Sequence, residues 1–389
     1  MRSRSNCLAR IKRPSKSRRL TNDDARLRVG LLFGGRSAEH DVSVLSAGNV
    51  FRALDPAQYD VIPIAITKDG TWVLCNVEGG RFPAAVPASG DQVVLLPGGK
   101  GRMLMIAEGE RETPRWAAVD VLFPVLHGPF GEDGTIQGLA ELAGVPYVGS
   151  DVLGSAAAMD KDAAKRLMRE AGLPIADFLA FSAAEPPVFD AVVAKLGRPL
   201  FVKPARLGSS VGVAKAASEV EFAAALKEAF RHDDKILVEE YVPGREIECG
   251  ILENEDGSIL VSVPGEIVPT NRHSFYTYEA KYMDDKGAEL KVPADLPPGT
   301  AAKISDLSLR AFRALGCAGL ARVDFFLCPD GRILVNELNT LPGFTSVSMY
   351  PRVLAASGVP YSDLTGRLIR HALRRAARMH GADSAQPTK

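Results

Sequence analysis

The segment Gly319 to Met349, GLARVDFFLCPDGRILVNELNTLPGFTSVSM, constrains the fold more than any other stretch of the chain. Two apolar runs flank Pro329-Asp330-Gly331, the composition of a β-hairpin turn. A two-residue turn centred on Asp330-Gly331 makes paired positions sum to 661, so Asp324 faces Glu337 and Arg322 faces Asn339. Side chains alternate with period two, which puts all four on one face. Carboxylates directly opposite each other repel and destabilise a plain hairpin. A divalent cation between them reverses the sign. Two carboxylates and an amide oxygen form a hard ligand set suited to Mg²⁺ carrying phosphates and water. The plain alternative is a solvated hairpin face.

Composition narrows the classes of function. The 389 residues suffice for two or three domains, with 46% hydrophobic and 24% charged residues, as in globular proteins. A formal net charge of zero gives no general attraction to nucleic acid. No apolar run approaches the roughly 20 residues of a membrane span. Five scattered cysteines (Cys7, Cys75, Cys249, Cys317, Cys328) without a C-x-x-C pair point to a reducing, cytoplasmic setting and away from a disulfide framework or zinc site. Residues 1–26 are basic, Ser-rich and without an apolar core, which reads as a disordered tail or a start assigned too far upstream rather than a targeting peptide.

Along the chain, RVGLLF (28–33), Gly34-Gly35 and a helical SAEHDVSVLSAGNVFRAL open an α/β unit. A helix N-terminus after glycines can take an anion and Glu39 an ammonium, although ordinary strand-to-helix packing needs the same residues. Residues 59–67 and 71–74 are further strands, and 76–118 form a Gly/Pro-rich excursion. VDVLFPVLHG (119–128) is a buried strand ending at His127, at the carboxyl end where open sheets bind ligands. SAAAMDKDAAKRLMREAGLP reads as one helix carrying Lys161, followed by a polar connection.

In RPLFVKPARLGSSVGVAKA, the backbone of Gly208, Ser209 and Ser210 can approach phosphate oxygens beside Lys203, or the loop is merely a turn. No Walker motif occurs. Glu239, Glu240 and Glu246 flank a strand-to-strand hinge, where they could serve a nucleotide or simply line an exposed margin. Residues 269–291, with Lys281 and Tyr282, have the length of a lid. Helices are expected over 298–316 and 362–380.

Taken together and in order, GGRSAEHDVS, LHGPFGEDG, MDKDAAKRL, FVKPARLGSSVGV, VEEYVPGREIE, FYTYEAKY, ARVDFF and NELNTLPGFTSVSM resemble the D-alanine–D-alanine ligases of the ATP-grasp superfamily. The resemblance runs from about residue 28 to 370. It implies α/β and α+β architecture: a Rossmann-like N-terminal domain (27–149), then a two-part ATP-grasp domain divided into 150–242 and 243–380, with tails at 1–26 and 381–389.

It also implies roles. Lys161 and Lys203 would contact ATP phosphates with Ser209 and Ser210, while Lys281 would join them from the lid. Glu239 to Val242, Glu240 included, would hold the adenine edge, and Glu246 the ribose. Asp324, Glu337 and Asn339 would ligate two Mg²⁺ or Mn²⁺ ions. Glu39, with His127 nearby, would fix the first D-alanine; Ser348 and Met349 would hold the carboxylate of the second. Tyr282 would link through Ser209 towards Glu39, and Arg322 with the Gly343 N–H would stabilise an oxyanion.

The implied enzyme is a cytoplasmic homodimer acting on D-alanine and ATP, with no nucleic-acid or membrane partner. Tyr282, where relatives specific for D-lactate carry histidine, favours D-alanine as second substrate. Leu207 departs from the usually polar residue of that loop. A nucleotide-binding regulator is disfavoured by the complete Arg322, Asp324, Glu337 and Asn339 set. A ligase for another small amino acid is separable by a substrate panel.

Overall fold

The computed structural model describes residues 26–77, 79–106, 115–269 and 288–383. The N-terminal part contains β1 (Leu27–Gly34), α1 (His40–Ala53), β2 (Tyr59–Ile66), β3 (Trp72–Leu74), β4 (Gln92–Leu95), β5 (Arg102–Ile106), β6 (Arg115–Ala118), β7 (Val121–Pro124) and α2 (Thr135–Ala143). Its seven strands lie in the order β6-β5-β4-β3-β2-β1-β7. β1 runs parallel to β2 and β7 and is buried from Val29 to Gly34, as a strand covered on both faces must be. The carboxyl ends of β1 and β7 therefore deliver Glu39 and His127 to the same edge.

The middle part comprises α3 (Val152–Met159), α4 (Lys161–Glu170), β8 (Phe178–Ser182), α5 (Phe189–Leu196), β9 (Leu200–Pro204), β10 (Ala214–Ala216), α6 (Glu219–Ala229) and β11 (Lys235–Glu240). Its antiparallel sheet has the order β10-β9-β11-β8. The last part comprises β12 (Arg245–Glu253), β13 (Ile259–Val261), β14 (Gly265–Pro269), β15 (Ala288–Lys291), α7 (Thr300–Ala314), β16 (Leu320–Leu327), β17 (Ile333–Asn339), α8 (Met349–Ala356) and α9 (Tyr361–Asp383). The strands follow the order β15-β14-β12-β16-β17, with β13 on β12. One apolar cluster joins Leu31, Phe33 and Phe123 of the first sheet to Phe344, Tyr350, Leu364 and Leu368, so the first and last parts share a core. No helix among the described residues is long and apolar enough to cross a membrane.

Four local expectations need correction. The helix expected across Lys161 is two helices, because Asp160 accepts from the Ala163 N–H (3.0 Å) while its own N–H closes α3 on the Ala156 carbonyl (3.2 Å). The polar connection after α4 contains β8 and α5, and the 76–118 excursion contains β4, β5 and β6. The strand expected over 119–128 is confined to β7, beyond which Leu126, His127 and Gly128 turn into the site.

The turn of the β16–β17 hairpin spans three residues, not two. Cys328 N–H bonds the Arg332 carbonyl (2.8 Å), and Gly331 sits at φ +84°, the left-handed position such a loop demands. Pairs near the turn, such as Leu327 with Ile333, are thus displaced by one. A bulge leaving Asn336 unopposed restores the frame, and Asp324 pairs with Glu337 and Arg322 with Asn339.

Candidate active site

The floor of the site is the β12-β16-β17 face. Glu248 pairs with Asp324, which pairs with Glu337, so three carboxylates stand in one row across three strands. The adjacent row is Gly250, Arg322 and Asn339. Such a row is self-repelling unless cations lie among it. Arg322 supplies one: its Nε and Nη2 each reach Asp324 at 2.7 Å, and its Nε lies 3.0 Å from Glu248 Oε2. Burial alone would lower the Arg322 pKa, but Asp324, Glu248 and Glu337 outweigh it and hold the guanidinium firmly charged. Lys161 Nζ lies 3.4 Å from Glu337 Oε2 and donates to the Leu207 carbonyl at 2.7 Å. Asn339 Nδ2 donates to Asp324 at 3.0 Å, which orients the amide so that its oxygen, an acceptor, points away from that carboxylate.

The opposite wall is the β9–β10 loop with the end of β11. Ser209, Ser210 and Gly212 all have positive φ (52°, 58° and 70°), a run of left-handed backbone that two serines adopt only where the loop's shape demands it. Between floor and wall lies a cavity of about 360 Å³. Phe201, Val213, Val242, Ile267 and Phe326 make its apolar end, and Lys161, Lys203, Ser209, Ser210, Asp324 and Glu337 its charged end. Glu240 and Glu246 also border it.

Two carboxylates of β11 are already engaged. Glu240 accepts from the Asp177 N–H (2.9 Å), and Glu239 takes Lys203 Nζ at 2.8 Å. Any contact these two make with a nucleobase edge therefore falls to the backbone.

The N-terminal part closes the third side. Glu39, the residue before α1, accepts a hydrogen bond from Ser209 Oγ, and its other carboxylate oxygen is 3.2 Å from where a Cβ on Gly128 would lie. The loop from Leu341 to Ser348 is clamped from this side. His127 Nδ1 bonds the Leu341 carbonyl (3.0 Å), which fixes the proton on Nδ1, and its Nε2 faces Ser46 Oγ at 3.4 Å. Burial pulls the His127 pKa down, so the ring is neutral and its contacts are those of a brace. Glu132 accepts from both the Gly128 N–H (2.7 Å) and the Leu341 N–H (3.2 Å). Burial, with the nearby Glu39 carboxylate, pushes its carboxyl up to about 8 against those two donors.

Within the clamped loop, Gly343 approaches Ser348 so closely that a Cβ there would lie 2.7 Å from Ser348 Oγ and one of the two would have to shift. Ser348 precedes α8, whose first N–H belongs to Met349, a position that attracts anions. The Met349 side chain itself packs with Ile267 and Val353, so the backbone is the part available to a ligand. Lys281 and Tyr282 lie outside the described residues.

Sequence reasoning passed over Glu248, Glu132, Ser46, Phe201 and Phe326. Glu248 was within reach, since period two from Glu246 puts it on the same face. Ser46 was not, because its role depends on a contact with a loop 298 residues away. Among the described residues no three Asp, Glu, His or Cys side chains converge as a metal cluster by themselves. A set of two carboxylates and an amide leaves the rest of an ion's shell to phosphate and water.

Family models described as D-ala D-ala ligase N-terminus and D-ala D-ala ligase C-terminus match residues 28–150 and 167–370. The chain is 56% identical over 352 residues to D-alanine–D-alanine ligase A of Mesorhizobium japonicum, covering 90% of this chain and 98% of that one. It is also 56% identical over 358 residues to a D-alanine–D-alanine ligase of a Bradyrhizobium strain, covering 91% and 97%. Among solved structures it is similar to the D-alanine–D-alanine ligase of Coxiella burnetii (TM-score 0.81, 36% identity, 92% and 97% covered). The VanG D-Ala:D-Ser ligase of Enterococcus faecalis is similar as well (TM-score 0.76, 35% identity, 90% and 100% covered). With both halves matched and relatives spanned almost end to end, the chain belongs to the D-alanine–D-alanine ligase family and has its ATP-grasp fold.

Proposed function

We propose that this ATP-dependent ligase divides the synthesis of D-alanyl-D-alanine among the residues of the cavity and of the loops beside it as follows. A carboxylate does not condense with an amine in water, so the first D-alanine is phosphorylated by ATP and the amine of the second displaces phosphate from the acyl phosphate. The apolar end takes the adenine between Phe201 and Phe326, with the backbone from Glu239 to Val242 at its edge and Glu246 at the ribose. Lys161, Lys203 and the N–H groups of Ser209 and Ser210 receive the phosphates, joined by Lys281. Glu39 binds the ammonium of the first D-alanine, with His127 and Glu132 bracing the wall behind it. Ser348 and the Met349 N–H hold the carboxylate of the second, using the N-terminus of α8. Arg322 and the Gly343 N–H face the charge that develops at the reacting carbonyl, where loss of one such donor costs about 10²–10³ in rate.

Asp324, Glu337 and Asn339 fit divalent Mg²⁺ or Mn²⁺, two ions in our reading, since the three carboxylates of Glu248, Asp324 and Glu337 still exceed the positive charge that Arg322 and Lys161 bring to them. Bound there, divalent ions would neutralise phosphate oxygens during transfer. Tyr282 completes the line through Ser209 to Glu39 when the lid is closed, excluding water that would hydrolyse the acyl phosphate.

The observation that carries this reading is the Ser209–Glu39 hydrogen bond, which seats the amino-acid wall directly against the phosphate loop. We assign the enzyme to the cytoplasm as a homodimer, testable by light scattering on the purified protein. The activity test is phosphate release from ATP with D-alanine, compared with L-alanine, D-serine and D-lactate. Release confined to D-alanine is expected; no ADP with D-alanine and Mg²⁺ would overturn the reading.

A further inference from the structure

Lys165, one turn beyond Lys161 on α4, is buried to 1% exposure and does not border the cavity. Its Nζ makes no hydrogen bond and stands 3.4 Å from Glu239 Oε1. Glu239 is 2% exposed, and its other carboxylate oxygen takes Lys203 Nζ at 2.8 Å. Three ionisable groups thus follow one another from the interior of the middle part to the cavity wall: the Lys165 amine, whose pKa burial pulls down while the Glu239 carboxylate pulls it back up, then that carboxylate, then the Lys203 ammonium. Glu239 and Lys203 border the cavity, and Lys165 lies behind them.

Such an arrangement is expensive. Desolvating an ion costs several kcal/mol, and apolar side chains of equal volume in place of the Lys165–Glu239 pair together would ordinarily be no worse for stability. The Phe178 ring, 5.8 Å from Nζ, offers a weak cation–π contact and no hydrogen bond. The effect of Lys165 is therefore to be sought in what it does to Glu239. Burial pushes the Glu239 carboxyl upward, but Lys165 first and Lys203 second pull it below the usual range. Lys203 alone would have to sustain that carboxylate while also serving a ligand, and an ammonium fully committed to a buried anion is poorly placed to do both. With Lys165 on its inner side, Glu239 is held as a fixed anion and Lys203 keeps charge to offer outward.

We propose that Lys165 is a positioning residue for the nucleotide: through Glu239 it holds the Lys203 ammonium at the cavity wall where the phosphates of ATP lie. This rests on the assignment of Lys203 to the phosphates. The test measures KM for ATP, KM for D-alanine and kcat in Lys165→Met and, separately, Lys203→Met. Both variants are expected to raise KM for ATP about tenfold or more, the scale of a hydrogen bond to a charged group, while KM for D-alanine stays within about twofold.

An unchanged KM for ATP in Lys203→Met removes the phosphate role of Lys203 and this inference with it. A raised value in Lys203→Met beside a wild-type value in folded Lys165→Met overturns the inference alone. Should Lys165→Met fail to fold, the double variant Lys165→Met/Glu239→Gln decides, since it takes both charges from the interior together. It must show the raised KM for ATP because Lys203 then lacks its anion, and a wild-type KM for ATP there overturns the role of Lys165.

Discussion

Ser209 Oγ donates a hydrogen bond to Glu39 Oε1, joining residues 170 positions apart that follow strands of different sheets. Glu39 sits at the carboxyl end of β1, and Ser209 lies in the left-handed run between β9 and β10. The contact makes the placement of an amino acid's ammonium depend on the placement of the phosphate loop.

Ser209→Ala is accordingly expected to raise KM for D-alanine about tenfold or more, because a hydrogen bond to a buried carboxylate is lost. Global stability should change by less than about 1 kcal/mol, since the loop is only half-buried. Initial rates against D-alanine concentration, with a thermal melt alongside, check both. An unchanged KM would mean that Glu39 keeps its place without Ser209.

Glu132 predicts a pH dependence of stability. A carboxyl with a raised folded pKa binds its proton more tightly folded than unfolded, so its contribution is fully present below the ordinary value of 4.5 and is lost as pH climbs towards about 8. Some of the side chain remains accessible, which puts the upper end of that window at or below the higher figure. Glu132→Gln removes the titration but keeps only one good acceptor for the Gly128 and Leu341 N–H groups. The variant should be less stable than wild type near pH 5, with the gap narrowing as pH approaches about 8. Urea unfolding across that range measures it, and a constant gap would remove the titration from Glu132.

How far the sequence carried these conclusions differs from residue to residue. The pairing of Asp324 with Glu337 was legible from hairpin arithmetic, yet it holds through two compensating departures: a turn one residue longer than assumed and a bulge at Asn336. Neither has a strong local signal, because Pro-Asp-Gly suits turns of both lengths and a bulge is set by cross-strand packing. The break at Asp160 was readable in principle, since Asp is a favoured N-cap, but unbroken helical propensity on both sides hid it. Long-range partners such as Ser46 with Phe344, or Lys165 with Glu239, follow from tertiary packing and leave no local trace.

Metal dependence follows from the carboxylate row. Chelation with EDTA should abolish phosphate release, and Mg²⁺ or Mn²⁺ should restore it. Glu337→Ala should reduce turnover by about 10³-fold or more while leaving the fold intact, because Arg322 retains Asp324 and Glu248 as partners. Circular dichroism and a phosphate-release assay test the two halves of that statement. Wild-type rates in the variant would refute the ligand assignment of Glu337.

Gly343 gives the sharpest steric prediction. A methyl group there would lie 2.7 Å from Ser348 Oγ, inside contact distance, and Ser348 is not free to withdraw. Its hydroxyl is bound to the Thr345 N–H at 3.0 Å and the Thr345 hydroxyl at 2.7 Å, and the loop is pinned on its other flank through Leu341 and Phe344. Gly343→Ala must therefore displace either the Ser348 hydroxyl or the Gly343 N–H. The first displacement would raise KM for the second D-alanine; the second would lower kcat by about 10²-fold, as for loss of an oxyanion donor. Because the reaction has two D-alanine sites, the assay is a two-site fit of rate against D-alanine with ATP saturating. The first site, built on Glu39 and away from Ser348, should keep its affinity. A variant with wild-type kcat and both wild-type affinities would show that neither group contacts the reacting molecules.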